Sequence, residues 1–128
     1  MQFDYKFMRS GGHVRIAISG KITSHECQGL IERVMCDPHL HPNSTALIDL
    51  RDATYEREAK AEVIDIATAL ETFHFLLKNN IAIVAMRSTL FYAEIFSAHV
   101  RAVTNVGIKV FVDIAAAEAF CMAPNNGA

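Results

Sequence analysis

The sequence predicts an α/β fold, with a mixed, mostly parallel five-stranded sheet that opens with an antiparallel hairpin and is flanked by helices. Two runs of alternating apolar and polar residues near the start of the chain are separated by glycines, which is typical of a hairpin. Helical and strand patterns alternate after it, and strands joined by helices usually pair in parallel. With 128 residues, of which 52% are hydrophobic, the chain has the size of one compact domain.

The hairpin and the first helix have clear local signals. In Phe3–Phe7 and Val14–Ile18 apolar residues alternate with polar ones, and the turn-forming stretch Ser10–Gly12 lies between them. The segment Thr23–Glu26 matches a capping box, in which each of the two side chains can bond a backbone N–H group of the other residue. Apolar residues at helical spacing follow, so we expect a helix from about Ser24 to Met35.

Three further strands alternate with three further helices. Pro38 and Pro42 break the chain after the first helix, because the residue before a proline avoids helical backbone angles. The expected elements that follow are a strand over Leu47–Leu50, a helix from about Glu56 to Leu77, a strand over Ile81–Met86, a helix from about Thr89 to Thr104, a strand over Ile108–Val112 and a short helix over Ala115–Phe120. Residues 1–122 should form a single domain and residues 123–128 a frayed tail.

Composition and charge exclude several classes of protein. The net charge is −2 and the 12 Lys and Arg residues are scattered, so we predict no nucleic-acid partner. No apolar run approaches the ~18 residues of a membrane span. The first residues lack the pattern of a signal peptide and the three cysteines show no C-x-x-C spacing, so we expect a cytoplasmic protein with reduced thiols.

Polar residues follow the predicted strands where the sheet should place a site. The carboxyl ends of parallel strands share one edge, and open α/β proteins usually bind ligands there. The candidate ligand- or partner-binding residues are Lys21, Arg51, Asp52, Thr54, Tyr55, Arg87 and Ser88. Basic side chains beside helix N-termini favour anions, so one interpretation is an anion site. The alternative is that Arg51 pairs with Asp52, that the hydroxyl groups cap helices and that Lys21 is solvated.

Several segments together resemble a known family. They are the opening hairpin, Ile18–Thr23, Leu47–Leu50, Ile81–Ala85, and Gly107–Asp113 followed by Ala116–Phe120. Over nearly the whole chain this pattern is similar to STAS domains, the fold of the anti-sigma-factor antagonists, and more closely to their SpoIIAA-like branch, which is related to CRAL-TRIO lipid-binding proteins. The resemblance implies a STAS/SpoIIAA-like fold and a regulatory or binding role.

The phosphorylation switch of the antagonists does not carry over with the resemblance. In that family a strand ending in Asp-Leu leads to an Asp-Ser-Ser/Thr-Gly turn, and a partner kinase phosphorylates its hydroxyl group. Asp49–Leu50 matches the strand end, but Tyr55–Ala59 contains neither serine nor glycine. Glu56 and Glu58 would also repel an added phosphate. We therefore expect no stable phosphorylation between Thr54 and Ala59.

Histidines and aromatic residues on the apolar faces of two helices are candidates for an apolar pocket. They are His74, Phe91, Tyr92, Phe96 and His99. Small-molecule sites are mostly apolar and contain a few polar groups, as this set does. The competing interpretation is that all five are ordinary core residues, because histidines and aromatic rings at helical spacing usually pack in a core.

The sequence predicts no enzyme, no metal site and no cofactor. Cys36, His39 and His41 are close together, but nothing in the sequence fixes a further metal ligand near them. No nucleophile with a base and no pair of acids stands at a defined spacing.

The helix predicted over Glu56–Leu77 has a second apolar strip beside its main one. Ile64, Thr68 and Phe75 form this strip, and we predict that it covers itself in a homodimer. The alternative is that the hairpin or the Pro38–Asn43 loop folds over it.

These observations favour a non-enzymatic STAS-like regulatory or binding module that binds a protein partner or a small ligand at the strand-end edge. An alternative is a carrier or sensor of a lipid or other apolar small molecule. An uncharacterised enzyme is the third interpretation.

Overall fold

The computed structural model describes residues 1–55, 60–73 and 79–123. In chain order its elements are β1 Gln2–Met8, β2 His13–Lys21, α1 Ser24–Met35, β3 Thr45–Thr54, α2 Lys60–Glu71, β4 Ile81–Val84, α3 Arg87–Val103, β5 Ile108–Phe111 and α4 Ile114–Met122. The strands lie side by side in the order β1-β2-β3-β4-β5. β1 is antiparallel to β2 and every other neighbouring pair is parallel, which confirms the predicted fold class.

A short 3-10 turn, Arg9–Gly11, joins the two strands of the hairpin. Gly11 has a φ angle of 90°, and a Cβ atom at this position would lie 2.3 Å from the His39 carbonyl oxygen. Only glycine avoids both the steric clash and the backbone strain at this turn.

Of the helices in the described ranges, α1, α2 and α3 cover one face of the sheet and α4 covers part of the other. The main core joins apolar residues of α1, α2 and α3 to those of β2, β3 and β4. A smaller core on the opposite face contains Leu47, Ala82, Val84, Ala117 and Cys121, with α4 packed on β3 and β4. β4 is buried along its whole length, as expected for an interior strand covered on both faces.

β3 is longer than the predicted Leu47–Leu50, because it continues through Arg51 to Thr54. A bulge explains the difference, since Ala17 pairs with Asp49 whereas Ser19 pairs with Asp52. The extra residue in β3 interrupts the alternation of apolar and polar residues that marks a strand in sequence. Arg51, Asp52 and Thr54 are therefore strand residues rather than loop residues.

The helix predicted over Glu56–Leu77 ends earlier than expected, at Glu71. The Phe73 N–H group donates to the Leu70 carbonyl three residues back, a bond that tightens and ends the helix. Residues 56–59 and 74–78 of the predicted helix lie outside the described residues, as do residues 124–128 of the predicted tail. β2 continues three residues beyond the predicted Ile18, to Lys21, and the remaining predicted elements agree with the structure to within about two residues at each end. No helix in the described part of the chain is long and apolar enough to cross a membrane.

Candidate functional site

Arg51 is held by Asp49 on the α4 side of the sheet. Its Nε atom lies 2.9 Å from Oδ1 of Asp49 and its Nη2 atom 2.8 Å from Oδ2, while the Arg51 backbone N–H donates to Oδ1 at 3.0 Å. These bonds lower the pKa of Asp49 and raise that of Arg51. Side chains two residues apart lie on the same face of a strand, so Arg51 pairs with Asp49 and not, as one interpretation had it, with Asp52. A forked pair of this kind occupies the guanidinium group that an anion would need.

The other candidates lie at the ends of β2 and β3 and at the start of α3. Lys21 ends β2, and Thr54 ends β3 opposite it. Asp52 is exposed, and Arg87 and Ser88 are exposed in the first turn of α3. Thr23 caps α1, and Thr89 rather than Ser88 bonds the backbone at the start of α3. Asp49 engages the guanidinium group of Arg51, and a shared anion site of Lys21, Arg51 and Arg87 stays a prediction.

An apolar cavity of about 90 Å³ lies between the sheet and the three helices α1, α2 and α3. Its walls are the inward-facing apolar side chains of β2, β3 and β4 together with those of the three helices. Ile22 and Tyr55 line it near the carboxyl ends of the strands, whereas Leu40, Ser44 and Thr45 line it near the amino ends. An apolar cavity of about 150 Å³ holds benzene, so one of about 90 Å³ with a similar lining suits a smaller apolar molecule.

The polar groups at the two ends of the cavity differ. At the amino ends, the Thr45 Oγ1 atom lies 2.7 Å from Nδ1 of the buried His13, and the Ser44 hydroxyl donates to the Gly11 carbonyl. At the carboxyl ends, the Tyr55 ring packs on Tyr92 with a centroid distance of 4.8 Å, but no described residue forms a hydrogen bond with its hydroxyl group. Within residues 1–55, 60–73 and 79–123, nothing engages the Tyr55 hydroxyl, so this group is a candidate hydrogen-bonding partner for a ligand.

Burial keeps the two ionisable groups of this wall neutral. It raises the pKa of Tyr55 above its ordinary value and raises the pKa of Cys27 to about 12. Both groups therefore remain protonated at neutral pH, and neither supplies a nucleophile. The cavity wall offers apolar contact and a phenol hydroxyl group, the kinds of contact found in small-molecule sites.

The fold has a counterpart among solved structures. The chain is similar to an uncharacterized protein of the DUF3478 family from Shewanella loihica PV-4, whose crystal structure is described as having a SpoIIAA-like fold. The two share 18% sequence identity over 93% of each chain, with a TM-score of 0.60. The fold is SpoIIAA-like. No protein-family model matches the chain, and no curated protein matches it.

Within this SpoIIAA-like fold, the residues predicted to form an apolar pocket have different surroundings. Phe96 lines the cavity. Tyr92 packs behind Tyr55, Phe91 is 65% exposed, and His99 lies 2.6 Å from a carboxylate oxygen of Glu71 across the α2–α3 contact. His74 lies outside the described residues. The prediction missed the α1 wall of the cavity, although the apolar stripe Cys27, Leu30 and Val34 was visible in the sequence.

The segment in which we predict no stable phosphorylation, Thr54 to Ala59, is described only at its start. Tyr55 is half-buried against the cavity, and Thr54 is exposed at the end of β3. Residues 56–59 lie outside the described part of the chain.

The histidines and acids have structural contacts. Nδ1 of His39 lies 2.9 Å from Oδ1 of Asp37, and the His39 ring packs on Phe7. The Asp113 carboxylate caps α4 by accepting hydrogen bonds from the backbone N–H groups of Ala115 and Ala116. Among the described residues no group of three histidines, cysteines or acids is arranged to hold a metal ion.

The predicted dimer strip is described only in part. Ile64 is half-buried, and Thr68 is exposed and donates its hydroxyl to the Ile64 carbonyl at 2.9 Å. Phe75 lies outside the described residues. A homodimer through this strip therefore remains a prediction.

Proposed function

We propose that the protein is a non-enzymatic binding module whose ligand is a small, mostly apolar molecule held between the sheet and helices α1–α3. The cavity of about 90 Å³ is the observation that supports this proposal. Its volume suits a molecule of a few carbon atoms, and the Tyr55 hydroxyl can bond one polar group of such a ligand. Met35, an unbranched and half-buried residue of the wall, can adjust to a somewhat larger ligand.

A ligand of this kind should stabilise the folded protein. Short-chain alcohols of a few carbon atoms should raise the melting temperature in proportion to the logarithm of their concentration once binding saturates. Solvent extraction of protein purified from its native cells, followed by mass spectrometry, should identify the natural ligand.

A matched pair of variants tests whether the probes bind in the cavity. Ala93 of α3 lines the cavity and is 1% exposed, whereas Ala98 of the same helix is exposed. Ala93→Leu should fill the space and abolish the thermal shift, and Ala98→Leu should retain it. Equal shifts in both variants would show that the probes bind elsewhere, and the absence of a shift in the wild type would refute the proposal.

A protein partner at the strand-end edge is a second candidate, favoured by exposed apolar side chains there. Met86 follows β4, Val112 follows β5, and Phe91 lies near the start of α3, with exposed fractions of 47%, 65% and 65%. Exposed apolar side chains that cluster on one edge are typical of interaction surfaces. A photo-crosslinking amino acid at position 91 should capture a partner in native cells, and the same amino acid at the exposed position 98 should not.

A further inference from the structure

β1 lies at one edge of the sheet and pairs with β2 alone among the described strands. Its outer side therefore presents backbone N–H and C=O groups to the surroundings. Proteins usually protect such an edge, because an open strand is a template for pairing with another strand. The hydrogen bonds between β2 and β3 determine which N–H and C=O groups of β1 point outwards.

The pairing of β2 with β3 fixes which residues of β1 face outwards. The Thr45 N–H donates to the Gly12 carbonyl at 3.0 Å, so in this parallel ladder even-numbered residues of β2 bond β3 and odd-numbered ones bond β1. Each odd-numbered residue of β2 lies opposite an even-numbered residue of β1. The N–H and C=O groups of Phe3, Tyr5 and Phe7 must therefore point to the open edge.

Only a few registers let this edge pair with an identical strand. The outward groups of both strands must meet, so an antiparallel pair of β1 strands has to be centred on residue 4, 5 or 6. Centred on Asp4, the pair sets Asp4 against Asp4, and centred on Lys6 it sets Lys6 against Lys6. Centred on Tyr5, it sets Asp4 of each strand directly opposite Lys6 of the other.

The register centred on Tyr5 is thus favoured for two reasons. It sets opposite charges against each other, and it pairs the longest stretch of β1. It forms about six backbone hydrogen bonds and places both Asp4–Lys6 pairs at positions without ladder bonds, where facing side chains come closest. Within one chain, Lys6 lies across from Arg15 and Asp4 across from Ala17, so neither faces an opposite charge on β2. A second copy supplies the missing complement to both residues.

The face of β1 that carries Phe3, Tyr5 and Phe7, opposite the face of Asp4 and Lys6, is also self-complementary. Phe3, Tyr5 and Phe7 form a half-buried aromatic row that packs on the main core, and the rings of Tyr5 and Phe7 meet edge to face at 6.0 Å. In the same register Phe3 of one strand faces Phe7 of the other. The apolar row would continue across the contact, as an interface between identical patches requires.

We propose that two copies of the protein join through antiparallel pairing of their β1 strands, centred on Tyr5, to form one continuous sheet. The contact buries less surface than a typical stable interface, so we expect a dissociation constant in the micromolar range. It uses an edge that lies away from α2, and it does not depend on the cavity ligand.

Charge exchange between Asp4 and Lys6 tests this register directly. Both residues are exposed, so single changes should leave the fold intact, which the melting temperature at low concentration checks. Asp4→Lys sets lysines against lysines and Lys6→Asp sets aspartates against aspartates, so each variant alone should dimerise about tenfold more weakly or worse by sedimentation velocity. The double variant should recover wild-type dimerisation. An equimolar mixture of the two single variants should form heterodimers, because their charges are then complementary.

Two controls separate this edge from other surfaces. Lys109→Asp makes the same charge reversal on β5, the strand at the opposite edge, and should leave the dimer unchanged. Ile64→Glu places a charge in the strip on α2 and should also leave it unchanged. A wild-type monomer at high micromolar concentration overturns the proposal, as does dissociation by Ile64→Glu or Lys109→Asp with no effect of the β1 variants.

Discussion

Replacement of Ala93 by leucine should stabilise the folded protein, because the added carbon atoms enter an existing cavity. At about 24 cal/mol for each Å³ of cavity, a volume of about 90 Å³ corresponds to about 2 kcal/mol of packing that the wild type lacks. The three added carbon atoms, at about 0.8 kcal/mol for each one buried, give a similar figure. Lost side-chain entropy and imperfect fit reduce the gain, so we expect about 1 kcal/mol.

The sign of the effect distinguishes a real cavity from a filled core. Where no space exists, an enlarged core side chain costs about 1–3 kcal/mol. Urea unfolding of the wild type, Ala93→Leu and the exposed control Ala98→Leu gives the free energy of unfolding for each. The control carries the same small change in helix propensity, about 0.2 kcal/mol, and should otherwise match the wild type. Destabilisation of Ala93→Leu by more than about 1 kcal/mol would refute the existence of usable space at this position.

Four further predictions concern charges, thiols and modification. Arg51→Ala should leave the effect of phosphate on the melting temperature unchanged, since Asp49 already engages the guanidinium; loss of a phosphate effect in this variant would restore the anion site. The pKa of Asp49 is lowered by Arg51, so its stabilisation is present above about pH 4 and is lost as the pH falls through the lowered value. Asp49→Asn should therefore lose less stability than the wild type between neutral and acidic pH in urea unfolding, and equal losses would contradict this. Iodoacetamide at mildly alkaline pH should modify the exposed Cys36 and spare Cys27, whose pKa is about 12, as peptide mass spectrometry can show; rapid modification of Cys27 would mean that the cavity opens. Protein from native cells should carry no stoichiometric phosphate between Thr54 and Ala59, and its detection there would bring back the antagonist switch.

The elements that the sequence predicted well are those with short-range signals. α1 begins and ends where the capping box and apolar stripe placed it, because the Glu26 N–H donates to the Thr23 hydroxyl at 3.3 Å within a single turn. The hairpin follows from alternation and from glycines at its turn. The order of strands and helices then restricts the sheet to few topologies, because crossovers between parallel strands share one hand.

The candidate site was predictable only in part, because its geometry depends on distant segments. A bulge against β2 carries β3 on to Thr54, and Asp49 then binds Arg51 on the α4 side of the sheet. Neither the bulge nor the pairing has a signature in the residues around Arg51. Of the predicted pocket residues, Phe96 lines the cavity. Helical spacing shows which residues share a face of the helix, but it does not show which other element that face packs against.

The sequence by itself determined the fold class and the burial of β4 on both faces, since both follow from local patterns of residue type. Tertiary structure alone decided the cavity and the open edge of β1. A cavity is space left where three helices meet a sheet, and no residue pattern records the absence of atoms. An edge is likewise defined by which strands pair. The opposite charges of Asp4 and Lys6 therefore indicate a pairing surface only when β1 is known to be an edge strand.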